Sequence, residues 1–155
     1  MQPVRLLAVL LLLWPAPSLA SAADPTGLWW AEGGAAQVEV VRCGDALCGR
    51  VAWLRSPLDE SGCLVRDREN PDPALRGRSV IGIELLRDLR RSHEESDGWV
   101  GGKIYDPGSG RTYRAVLRMD GPDRLRLRGY LGIQLLGRTA TWIRVGSEMQ
   151  CRQDA

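Results

Sequence analysis

The sequence predicts an all-β protein: a single antiparallel, up-and-down, eight-stranded barrel of lipocalin-like type. Three observations point there. Eighteen glycines and nine prolines interrupt the chain at short intervals. Between them lie eight short runs rich in β-branched, aromatic and alternating apolar residues, the pattern of strands. Outside the first twenty residues no long stripe of helical period survives.

The runs, in order, are TGLWWAE (26–32), AQVEVVR (36–42), LCGRVAWLR (47–55), SVIGIELL (79–86), GWVGGKIYD (98–106), RTYRAVLRM (111–119), RLRLRGYLG (124–132) and GRTATWIRV (137–145). The seventh alternates most cleanly, with Arg124, Arg126 and Arg128 interleaved by Leu125 and Leu127, so one face is wet and the other dry. Tight turns join most neighbours. DPGSG (106–110) carries a proline and two glycines suited to a turn, and DGPD (120–123) follows the sixth run. Short links make consecutive strands antiparallel neighbours. Two links are looser: the Pro-rich 56–78, which has room for one helical turn at PALR, and RDLRRSHEESD (87–97). Eight such strands close into a barrel that is filled by side chains or holds one small ligand. A two-sheet sandwich has the same patterning and is the alternative.

The first 22 residues read as a secretory signal peptide. Arg5 precedes a nine-residue apolar run (6–14), and Ala20-Ser21-Ala22 is a small-x-small cleavage site. The run is too short for a membrane span. No cysteine follows it until Cys43, so no lipid anchor is expected, and no later stretch is apolar enough to cross a bilayer. The 155 residues less these 22 leave 133, enough for one domain (23–155) with a real core. The 21 basic residues less Arg5 leave 20 against 19 acidic ones. That near-neutral balance speaks against a nucleic-acid partner. Export makes the four cysteines candidates for disulfides. Cys43 and Cys48 bracket GDAL and are placed to face each other across a hairpin. Cys63 and Cys151 are left to pair. Loop entropy gives about 2 kcal/mol for the short closure and about 4.5 for the long one.

Catalytic chemistry has no visible constellation. The single histidine, His93, lies in a charged loop and reads as solvated. There is no nucleophile elbow or phosphate loop. Asp59, Glu60, Asp67, Glu69 and Asp72, with Asn70, crowd the long connection among Arg66, Arg68, Arg76 and Arg78. They read as surface ion pairs and turn caps, with an oxygen-ligated calcium or an acid/base pair as lesser readings. No metal site and no cofactor are expected. Arg114, Arg118, Arg124, Arg126 and Arg128 read as a solvated outer face, and an anionic partner is the other reading. Trp53, Trp99, Tyr105, Tyr113 and Tyr130 are the candidate ligand-lining residues, with core packing as the competing role. Small residues on inward faces, Gly49, Ala52, Gly82, Ala115 and Gly129, leave gaps for a ligand or mark strand bends.

GLWW (27–30), VVRCGDALCGRVAWL (40–54), NPDPALRGR (70–78), GGKIYDPGSGRTY (101–113) and GYLGIQLLGRTATWIRV (129–145) resemble, in the same order, the secreted bacterial family catalogued as domain of unknown function 2147. The resemblance covers most of the chain after the leader. It implies a lipocalin-like, calycin-type barrel in the periplasm, and no established activity. Within it, Gly27-x-Trp29 looks like the first-strand signature of calycins, whose indole closes one barrel end. Arg144 matches the last-strand arginine that stacks on it, a contact of about 0.5–2 kcal/mol. The expected function is binding of a small apolar or amphipathic molecule by an exported protein. An envelope protein-interaction module is the alternative, and an enzyme using the carboxylates of 59–72 a third reading.

Overall fold

In the computed structural model, which describes residues 23–94 and 98–146, eight strands close into one barrel in sequence order. They are β1 (Gly27–Trp30), β2 (Ala36–Cys43), β3 (Ala46–Leu54), β4 (Glu84–Arg91), β5 (Trp99–Asp106), β6 (Arg111–Met119), β7 (Arg124–Tyr130) and β8 (Arg138–Arg144). Every pairing is antiparallel, and β1 with β8 seals the seam through Trp29 opposite Arg144 and Trp30 opposite Ile143. Closure leaves no sheet edge, and it settles the choice between barrel and sandwich. Helical geometry among the described residues is limited to short 3-10 turns, one of them Pro73–Leu75 within PALR. None is long and apolar enough to cross a membrane.

Turn chemistry sets the strand ends. Gly44-Asp45 joins β2 to β3 with φ 64° at Gly44 and no positive φ at Asp45, which suits a two-residue hairpin with glycine first. The β5–β6 turn closes with the Gly110 amide on the Asp106 carbonyl at 2.8 Å, while the Asp106 carboxylate accepts from the Gly108 amide (3.0 Å) and Ser109 Oγ (2.6 Å).

The inward face of the strands forms the core. Trp29, Val38, Val40, Leu47, Leu117 and Leu125 are almost fully buried, with Trp99 and Trp142 beside them. The fourth run departs from the sequence expectation. Its strand begins at Glu84, not Ser79, and continues through Arg91, so RDLRR is strand and not link. Val80–Ile83 is instead a turn lying against β3, with the Val51 amide on Ile83 O (2.9 Å) and the Gly82 amide on Val51 O (2.8 Å). Leu86 and Leu89 both point inward although three residues apart. A left-handed Asp88 (φ 62°) between them absorbs the extra residue, as a bulge does. The same spacing recurs opposite, where Trp99 and Gly102 both face in across a register shift. Two inward assignments are also corrected. Ala52 lies between inward Val51 and exposed Trp53 and is itself exposed, and Gly82 belongs to the turn before β4.

Candidate functional site

One end of the barrel is plugged. The Trp29 indole is fully buried, donates Nε1–H to the Pro25 carbonyl at 2.8 Å, and carries the Arg144 guanidinium 4.2 Å from its ring centre. Arg144 also donates to the carbonyls of Thr26 and Asp24 (2.8 Å each) and Pro122 (3.0 Å), tying the entry segment and the β6–β7 turn to the last strand. Trp99 has Arg91 over its ring at 4.5 Å. The Cys43–Cys48 disulfide lies at this end too. In the hairpin register Cys43 faces Ala46 and Cys48 faces Val41, so the bond runs diagonally, across a Cα separation of 5.9 Å, and not between directly opposed residues.

The other end is open. The β7–β8 register orders its depth: Gly129 opposite Arg138 at the rim, Leu127 opposite Ala140 below, and Leu125 opposite Trp142 deeper still. A cavity of about 480 Å³ enters here, walled by Ile104, Tyr113, Leu127, Gly129 and Ala140, with Trp142 at its inner end. Glu32 and Arg138 pair across the rim at 3.2 Å. Both are well exposed, so solvent screening leaves that pair weak, and it does not seal the mouth. The volume falls within the range of small-ligand sites, and the lining is mostly apolar with a few polar groups, as such sites are.

Next to it, sharing Leu85, Asp106 and Pro107, is a second cleft of about 660 Å³ between the barrel and the 55–83 connection, lined by Val51, Leu54, Val65 and Val80 with Arg66 and Arg68. The connection is held in place by a buried carboxylate. Asp67 is fully buried and accepts from Tyr105 Oη (2.6 Å), Asn70 Nδ2 (2.7 Å) and Arg78 Nε (3.0 Å), with Arg78 Nη2 at 2.8 Å. Burial pushes its pKa up, but the hydrogen bonds from Tyr105, Asn70 and Arg78 outweigh this and hold the carboxyl below the ordinary range. Burial, then the same hydrogen bond, pushes the Tyr105 phenol up to about 12. A carboxylate so bonded anchors the connection to β5. Asp59 caps the turn at Ser61 and Cys63 and meets Arg68 at 2.8 Å, and Asp72 caps the Pro73–Leu75 turn through the Ala74 amide. The β5–β6 turn docks on the same connection, where a Cβ on Gly110 (φ 68°) would collide with the Glu69 carbonyl.

Of the residues singled out in the sequence, the structure brings Tyr105 and Tyr113 to the open-end cavity. It places Trp53 on the outer wall, 40 % exposed and edge-on to Trp30 at 5.5 Å, because the register sets both beside outward Gln37. Trp99 is packed in the core, and Tyr130 shares the outer face with Arg126 and Arg128. Among the small residues only Gly129 lines the cavity. Gly49 does face inward, but Leu86 fills its space, the nearest leucine carbon lying 3.0 Å from where a Cβ would be. Ala115 is buried in the core. Cys63 is exposed with no disulfide partner among the described residues, and its expected partner Cys151, like residues 1–22, lies outside them. His93 is exposed. Among the described residues no group of His, Cys, Asp or Glu is arranged to hold a metal ion. The rim pair Glu32–Arg138 and the wall residues Ile104, Leu127, Ala140 and Trp142 were not singled out. What brings them together is the closure of the barrel and its strand register, which no local pattern in the sequence displays.

Residues 27–144 match the model of a family described as an uncharacterized protein conserved in bacteria, DUF2147. The chain belongs to that family. No curated protein matches this DUF2147 chain. Among solved structures it is similar to protein HP1028 from the human pathogen Helicobacter pylori, described as belonging to the lipocalin family, at 24% sequence identity and a TM-score of 0.67. The match covers 84% of this chain and 88% of that one. At that identity the likeness shows the fold: the DUF2147 barrel is lipocalin-like.

Proposed function

We propose that this protein is exported and binds one small apolar or amphipathic molecule in the open end of its barrel. The observation that carries the reading is the cavity of about 480 Å³, apolar along Ile104, Leu127, Ala140 and Trp142, with Glu32, Tyr105, Asp106, Tyr113 and Arg138 as its polar lining. An apolar body seated there is removed from water at about 25 cal/mol per Å² of buried surface. A polar end group would lie near Arg138 and Glu32 or in the adjoining cleft beside Arg66 and Arg68. The leader-like first 22 residues and the Cys43–Cys48 disulfide support an oxidising, exported setting.

Titration with an apolar fluorescent probe tests the site. The expected result is about one probe per chain, with quenching of tryptophan emission through Trp142. Mass spectrometry of protein gently isolated from a periplasmic extract is expected to show a co-purifying small molecule. Absence of probe binding, together with a ligand-free mass, overturns the reading.

A further inference from the structure

The outer wall of the barrel is uneven in charge. On one side the register alternates sign, with Glu39 opposite Arg50 and Arg50 opposite Glu84. Further round it does not. Arg87 is opposite Lys103 and Lys103 is opposite Arg114, all three exposed. Like charges directly opposed on one face destabilise a sheet. No ion pair among the described residues compensates these three, and Asp88, next to Arg87 in the chain, forms none with it.

This row ends beside an apolar tip. Arg114 is opposite Tyr130, and Tyr130 leads directly into LGIQLL (131–136) at the open end of the barrel. In that loop Leu131, Ile133, Leu135 and Leu136 are 58%, 60%, 82% and 79% exposed. The loop is braced from below. Arg128 donates Nε to the Gln134 carbonyl (2.8 Å), Nη2 to the Leu135 carbonyl (3.1 Å) and Nη1 to Thr139 Oγ1 (2.8 Å). These bonds hold the loop against the outer face of β7, where Leu135 borders a shallow cleft with Val116, Arg118 and Arg128, and they leave four large aliphatic side chains exposed, an arrangement that marks a contact surface.

We propose that this edge docks on a lipid surface with anionic headgroups. The 131–136 tip enters the boundary between headgroups and acyl chains, and Arg87, Lys103 and Arg114 lie over the phosphates. An exposed apolar loop next to an uncompensated cation row has the composition and charge that such a surface accepts. A protein partner would need an apolar socket and an acidic wall side by side. The proposal uses the outer wall and the 131–136 loop, none of which lines the cavity, so it stands or falls apart from ligand binding there. If both hold, the mouth opens beside the bilayer.

Vesicle co-sedimentation of the full protein, without added ligand, tests it. Binding is expected to vesicles containing phosphatidylglycerol, weakly or not at all to pure phosphatidylcholine, and to fall as salt is raised. Lys103→Glu and Arg114→Glu should each weaken partitioning roughly fivefold or more, since each cation near such a surface contributes about that factor. Leu135→Asp with Leu136→Asp should abolish binding at the same headgroup charge, with an unchanged melting temperature because both side chains are exposed. Protein that stays in the supernatant with both vesicle types overturns the proposal. So does binding that the loop double variant leaves intact. Sedimentation equilibrium without lipid supplies the remaining outcome: a dimer that the double variant dissociates, with no vesicle binding, assigns the tip to a second copy of the chain and overturns the proposal as well.

Discussion

Trp29 and Trp30 are adjacent in the chain and opposite in role. Strand alternation sends Trp29 to the plugged end, 0% exposed, and sends Trp30 outward against Trp53. Trp29→Ala should therefore destabilise by about 3–5 kcal/mol, the loss expected for a large buried aromatic. Trp30→Ala should lower stability by less, and thermal melts of the two variants check the order. A larger loss at Trp30 would contradict this register. Arg144 acts on the same end by holding three carbonyls and the indole face together. Arg144→Ala is expected to lower stability by about 2–3 kcal/mol, since hydrogen bonds to a charged group are among the stronger ones. Arg144→Lys should recover little of it, because an ammonium cannot span three acceptors in a plane while covering a ring.

At the scale of elements, the strands that were legible in the sequence are those whose period of two is unbroken. RTYRAVLRM (111–119) and β6 coincide, and the Arg/Leu alternation of β7 places Leu125 and Leu127 inside. β4 was not legible, because Leu86 and Leu89 are three apart and a left-handed Asp88 reconciles them, a conformation a period count does not anticipate. The long connection hid its anchor for a related reason. Asp67 lies between two arginines and looks solvated, yet folding buries it against Tyr105, 38 residues further on. That anchor makes stability depend on pH at both extremes. The folded Asp67 pKa is lowered, so its contribution is full above the unfolded value of about 3.9 and is lost as pH falls through the folded one. Tyr105 is raised to about 12, so its contribution is full below about 10 and is lost as pH rises toward 12. Asp67→Asn should lower stability by about 1–3 kcal/mol at pH 7, and the gap from wild type should narrow in acid. Chemical denaturation at pH 7 and pH 3 measures both, and an unchanged gap would contradict the assigned anchor. Loss of the disulfide acts at the same scale. Cys43→Ser with Cys48→Ser should lower stability by about 2 kcal/mol on the loop-entropy account, as read by a melt under non-reducing conditions.

Across the whole molecule, one barrel is filled in one half and hollow in the other, and glycines mark the difference. Glycines in a strand series look alike in the sequence, but what faces each one decides its effect. Gly49 and Gly102 are covered by Leu86 and Leu89, whereas Gly129 looks across the cavity, with Ile104 and Tyr113 no closer than 3.4 Å from where a Cβ would be. Adding a side chain therefore has different consequences at these glycines. Gly102→Ala forces a Cβ into Leu89 and to within 2.9 Å of the Arg87 carbonyl. It should destabilise by roughly 1–3 kcal/mol, the usual penalty for overpacking, and leave the mouth unchanged. Gly129→Leu adds a Cβ in ordinary contact with Ile104 and Tyr113, at a position without positive φ, and extends a side chain toward the cavity, so the fold should melt close to wild type while the cavity loses much of its volume. Probe affinity should then fall by about tenfold or more, on the same scale of overpacking against a bound molecule. Measuring melting temperature and probe titration on both variants separates the packed position from the cavity-lining one. If Gly129→Leu binds the probe as tightly as wild type, the probe is not in the barrel, and the adjoining cleft beside Val65 and Val80 becomes the site to test.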